Sequence, residues 1–117
     1  MKPFAPIPET FVINGLTWKI EVDESLDDDY GQCLPNERVI KIGVLGLHAL
    51  IQRKKEIWAT LIHEFMHAIL ASYGLNYEMS EQEEEKTVRL LEMIVVGFIL
   101  ANPKQCKLIL DKLISSK

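Results

Sequence analysis

The sequence predicts an α+β domain in which a small antiparallel sheet of two hairpins packs on three α-helices. Three observations carry this expectation: an Asn-Gly turn between alternating segments, a switch to helical periodicity near residue 50, and helix punctuation at Gly74, Ser80 and Pro103. At 117 residues the chain has room for one apolar core and not for two. Residues 1–117 are therefore read as a single domain, opened by an extended proline-rich arm over residues 1–9.

The first hairpin pairs Thr10 to Ile13 with Leu16 to Val22 across Asn14-Gly15, the dipeptide that best accommodates the positive backbone angles of a two-residue turn. In its second strand Leu16, Trp18, Ile20 and Val22 alternate with Thr17, Lys19 and Glu21, the period of a sheet with one buried face. The segment from Asp23 to Tyr30 is acidic and lacks apolar periodicity, and Asp27-Asp28-Asp29 lacks the ligand spacing of a calcium loop, so it reads as a solvated turn. A second hairpin runs from Gly31 to Gly43, turning at Pro35-Asn36-Glu37 and returning through Arg38 to Ile42.

From about Leu50 to Tyr73 apolar residues recur at three- and four-residue steps, among them Ile51, Leu61, Phe65, Ala68 and Ile69, and Gly74 supplies the stop. Ser80-Glu81-Gln82-Glu83 reads as a capping box opening a second long helix that ends at Asn102. Pro103 suits the first position of a third helix capped by Asn102, with Leu108, Ile109 and Leu113 as its apolar stripe.

The net charge of -4, with no basic cluster, gives no field for phosphate neutralisation, so nucleic acid is not expected as a partner. Cys33 and Cys106 form no CxxC pair and read as reduced thiols. The prolines of the opening segment do not resemble an export signal, so a cytoplasmic protein is expected. The most apolar run, Val88 to Ala101, is shorter than the roughly 20 residues needed to span a bilayer. It also contains Arg89 and Glu92, and it reads as a core helix, with no membrane partner.

The chemistry resides in His63-Glu64-Phe65-Met66-His67. Histidines four apart on a helix project from one face, so His63 and His67 can share one zinc ion. Glu64 is rotated by about 100° from His63, where its carboxylate can take a proton from a metal-bound water, the place of a general base. The motif lies in an apolar helix, where polar groups without partners carry a desolvation cost.

A catalytic zinc needs a third protein ligand. After His67 the chain runs Ala68, Ile69, Leu70, Ala71, Ser72, Tyr73, with no third histidine. The acids opening the next helix, Glu81, Glu83, Glu84 and Glu85, are the obvious source. Glu83 is engaged in the cap and Glu85 lies at the edge of the buried stripe, so Glu85 is the expected ligand, with Glu84 next. Glu92 could instead orient a ligand from behind, His48 could assist an oxyanion, and Tyr73 or Tyr77 could donate to one.

Thr60 to Ile69, followed by Glu85 to Leu91 and closed by Asn102-Pro103, resembles the minimal zincin-type peptidases of phages and mobile elements, similar to the ImmA/IrrE and SprT-like metallopeptidases. The likeness extends upstream to Gly31-Gln32-Cys33 and the strand at Arg38 to Ile42. It implies a zincin-like fold with a gluzincin arrangement: His63, His67 and a downstream glutamate on zinc, Glu64 as base, and a peptide or protein substrate laid along a sheet edge. Arg38 to Ile42 is the candidate edge. The expected function is zinc-dependent peptide-bond hydrolysis. Its rivals are a catalytically silent zinc-binding interaction or regulatory module, and a metal-free protein in which His63 and His67 are merely packed.

Overall fold

The computed structural model describes residues 8–23, 31–43 and 54–116. The start of the proline-rich arm, the triple-aspartate turn, His48 and the opening of the first helix lie outside them. The described elements are β1 (Thr10–Ile13), β2 (Leu16–Asp23), β3 (Gly31–Leu34), β4 (Val39–Gly43), α1 (Lys54–Ser72), α2 (Glu81–Ala101) and α3 (Pro103–Ser115).

Both hairpins form. Asn14 and Gly15 adopt φ of 51° and 77°, the two positive angles that the turn between β1 and β2 requires. Their registers run Ile13 opposite Leu16 and Leu34 opposite Val39. The sheet is not antiparallel throughout, however. Its order is β1-β2-β4-β3, and β2 pairs with β4 in parallel, Ile20 opposite Ile40, so the sheet is mixed.

That pairing also corrects the expected edge. The strand from Arg38 to Ile42 lies between β2 and β3, in the middle of the sheet. The physical reason is in its composition: Val39, Ile40, Ile42 and Gly43 are all buried, and Ile40 and Ile42 expose nothing. A near-continuous apolar run suits a strand flanked on both sides, since an edge would leave its amides unpaired. Among the described strands the outer ones are β1 and β3.

The core is built by Trp18 and Ile20 of β2, Ile40 and Ile42 of β4, Ile13 of β1, and Leu61 and Ala68 of α1. Each fully buried large side chain there contributes roughly 1.5–3 kcal/mol. Phe11 links the layers, its ring 5.8 Å from Trp18 and 4.5 Å from Phe65. Leu16 and Val22, at the ends of β2, are half exposed, since the buried face of the strand is centred on Trp18 and Ile20.

The helices do not all lie on the sheet. Only α1 touches it; α2 packs on α1, and α3 contacts α2 alone among the described elements. Helix α1 ends where Gly74 takes φ 68°, with Leu75 N–H donating to the Leu70 carbonyl and Gly74 N–H to that of Ala71, the paired bonds of a left-handed cap. The capping box forms as expected, Glu83 N–H donating to Ser80 Oγ and Ser80 N–H to the Glu83 carboxylate. Asn102 stands between α2 and α3, but its amide donates back to the Phe98 carbonyl and does not cap α3.

The run from Val88 to Ala101 is not a core helix. Val88 is fully buried, but Met93, Ile94, Phe98 and Leu100 are exposed, because α2 continues past the layer on which it packs. Among the described residues no single helix is long and apolar enough to cross a membrane.

Candidate metal centre

The site arises from the angular order of residues on α1. Leu61, Phe65 and Ala68, at steps of four and three, form the face turned to the sheet. His63 and His67 are rotated from Leu61 by about 200–240°, so both imidazoles leave on the side of α2. Their ring centroids stand 5.1 Å apart. Glu64 falls between these faces, is 7% exposed, and lies against β3.

Helix α2 presents acids to these rings at a spacing that matches an antiparallel neighbour. Glu85 and Glu92 are two turns apart and flank the buried Val88. The Glu85 carboxylate bridges the histidines, Oε1 2.7 Å from His63 Nε2 and Oε2 3.0 Å from His67 Nε2. On the far side of each ring a second carboxylate stands at Nδ1: Glu92 at 2.8 Å from His63 and Glu84 at 2.5 Å from His67. Asn76, in the turn before α2, donates to the other oxygen of Glu84 at 2.9 Å and fixes it.

A metal ion held at the Nε2 atoms would leave each Nδ1 to donate its hydrogen to Glu92 or Glu84, which would keep both rings in the ligating tautomer. His63, His67 and Glu85 each offer a ligand atom within 4.8 Å of the others, and together could hold a metal ion. Ligand atoms at 2.0–2.1 Å around a tetrahedral ion stand about 3.3 Å apart. The Glu85 oxygens stand 2.7 and 3.0 Å from the two Nε2 atoms, a little inside that spacing, and the set as a whole lies within 4.8 Å, so the side chains would adjust around an ion.

Burial acts to raise the Glu85 carboxyl, but His63, His67 and the hydrogen bonds from His67 and Arg89 outweigh it and hold it below the ordinary value. Arg89 Nε reaches Glu85 Oε1 at 3.3 Å from one turn further along α2.

The centre opens into a cleft of about 370 Å³ whose walls include Glu64, His67 and Glu85, with Cys33 and Pro35 of the second hairpin opposite. No protein-family model, curated protein or solved structure matches the chain.

Strand β3 approaches α1 closely at Gly31. A Cβ there would lie 2.6 Å from Thr60 Cγ2 and 3.1 Å from Glu64 Oε2, so only glycine fits without a shift. The Cys33 thiol is pushed up to about 12 by burial and by the charges of Glu64 and Glu84, and so remains protonated at neutral pH.

Of the residues singled out in the sequence, His63, His67 and Glu85 converge, Glu64 lines the same cleft, and Glu92 takes the orienting position behind His63. Glu84 is not aimed at the Nε2 side but holds His67 from behind. Glu81 borders the cleft without joining the cluster. Tyr73 and Tyr77 are exposed and neither borders the cleft, and His48 lies outside the described residues. Asn76 and Gly31 were not assigned these roles from sequence. Gly31, opening a strand of a predicted hairpin, carried the better signal, since glycine inside a strand marks close approach of another group.

Proposed function

We propose that this chain is a zinc-dependent peptidase of the HExxH type, related to the zincin-like enzymes it resembles. It would act in the cytoplasm, where its two free cysteines stay reduced. The observation that carries the reading is the Glu85 carboxylate set between the two Nε2 atoms while Glu92 and Glu84 occupy both Nδ1 atoms. Two imidazoles and one carboxylate are a donor set suited to zinc, and they leave a coordination position open. Bound there, zinc would act as a Lewis acid and lower the pKa of water towards about 7.

The remaining chemistry belongs to the chain. Glu64, buried beside the cleft, takes a proton from the attacking water and delivers it to the leaving amine. Glu92 and Glu84 keep the imidazoles in the binding tautomer and orientation, and Glu85 supplies the third donor. A substrate in extended conformation would lie against β3, the outer strand beside the cleft, in place of the central strand expected from the sequence. A silent module closed by a second acidic ligand is less favoured, because Glu84 and Glu92 are committed to the Nδ1 atoms.

The test has two parts. Protein purified without a metal-affinity tag should carry about one zinc per chain. It should cleave members of a peptide library, and Glu64→Gln should lower the rate by roughly 10²- to 10⁴-fold while keeping the metal. Retained cleavage in Glu64→Gln would remove the mechanism, and failure of wild type to bind zinc would remove the function.

A further inference from the structure

We propose that the exposed end of α2 together with α3 is an interface through which two copies of this chain form a dimer. The segment Met93–Ala101 contains no charged residue, and its large side chains are exposed in several directions, Leu100 by 75%, Met93 by 67% and Phe98 by 61%. Helix α3 adds a stripe in which Cys106, Ile109, Leu110, Leu113 and Ile114 fall within about 140° of arc, while Leu108, expected in the same stripe, is exposed on the opposite side. Ile109, Leu110, Leu113 and Ile114 are all more than half exposed. Eleven large apolar side chains between Met93 and Ile114 are each 40% exposed or more, so the open apolar surface exceeds the few hundred Å² of the largest patch on a typical monomer. A stable dimer needs about 800 Å² from each partner.

The shape of this arm decides what covers it. The two helices meet at an angle of 96° across Asn102. Met93–Ala101 is about 13 Å long, less than half of a hydrocarbon core. If α2 entered a bilayer end-on, α3 would sit at the deepest point with Lys104, Lys107, Asp111 and Lys112 in hydrocarbon. If both helices lay flat in the interface, the outward side chains of α2 would still face water. Neither pose buries both helices. A second copy does: two such arms contribute four helices, the stripe of each α3 can close over the many-sided end of the other α2, and the lysines remain at the rim.

The ligand group His63, His67 and Glu85 lies toward the other end of α2 and only Glu92, behind His63, adjoins this segment, so Leu100 and Ile114 stand away from the chemistry proposed there. Sedimentation of the full chain with and without the double substitution Leu100→Lys, Ile114→Lys tests it. Both positions are exposed in the single chain, so the substitutions leave its own core intact. Wild type should sediment at twice the 13.4 kDa chain mass and the variant at the chain mass, with zinc binding equal in the two.

A monomeric wild type overturns the proposal, as does a dimer that the substitutions leave whole. Flotation of a monomeric wild type with phosphatidylcholine–phosphatidylglycerol vesicles would replace the second copy by a bilayer. Hydrogen exchange on wild type alone covers the case of a variant that misfolds. Amides of residues 93–115 should lose protection on about a hundredfold dilution, and unchanged protection overturns the dimer.

Discussion

The two halves of α2 are built on opposite principles. Its first half is acidic, rests on α1, and gives Glu84, Glu85 and Glu92 partners on His63 and His67 within a single chain. Its second half is apolar, extends past the layer on which it packs, and leaves Met93, Phe98 and Leu100 exposed. The difference teaches that one helix can be finished at one end and unfinished at the other. The polar end meets its requirements within one chain; the apolar end asks for a second body.

The comparison sharpens first at the metal. If the proposed site binds zinc, Glu85→Ala removes the proposed direct ligand and should reduce zinc affinity further than Glu92→Gln or Glu84→Gln, which remove only orienting bonds and should cost roughly 10- to 100-fold each. Competition with a chromogenic chelator reads all three. Equal losses across the three would mean that Glu85 is not distinguished from its neighbours.

Next in size is Gly31→Ala, which sets a methyl 2.6 Å from Thr60 and 3.1 Å from Glu64. It should destabilise the fold by about 1–3 kcal/mol, read by urea denaturation, and should displace Glu64 so that the proposed peptide cleavage falls as well. Ser80→Ala removes the cap at the start of α2 and should cost about 1 kcal/mol, with the loss confined to the acidic half of the helix in hydrogen exchange.

The smallest effect is on pH. In metal-free protein the Glu85 carboxyl lies below its ordinary value of 4.5. Its stabilising contribution is therefore complete above that pH and is lost as pH falls through the lower folded value. Thermal denaturation of the metal-free protein should show a lower midpoint in that acidic window, and Glu85→Gln should flatten the dependence.

How much of this was legible in the sequence follows the range of the interactions involved. Asn14-Gly15, Gly74 and the Ser80–Glu83 box act within a few residues, and each appears where its local chemistry required. Glu85 was reachable because the cap removes Glu83 and the apolar phase favours the edge of the stripe. The parallel pairing of β2 with β4 was not legible, since it depends on which hairpin edges meet and no turn residue encodes that. The apolar character of Val88 to Ala101 suggested burial, but hydrophobicity specifies that a surface wants covering and not by which chain. The role of Glu84 behind His67 rests on a rotamer and on Asn76, eight residues away, and spacing alone does not show it.

The central claim concerns the ligands on a single ion, and X-ray absorption at the zinc edge of the zinc-loaded protein tests it most directly. The account predicts a shell of nitrogen and oxygen donors at about 2.0–2.1 Å with the outer scattering of two imidazoles. A sulfur donor at about 2.3 Å, bringing Cys33 onto the metal, or the signature of fewer than two imidazoles, would contradict it.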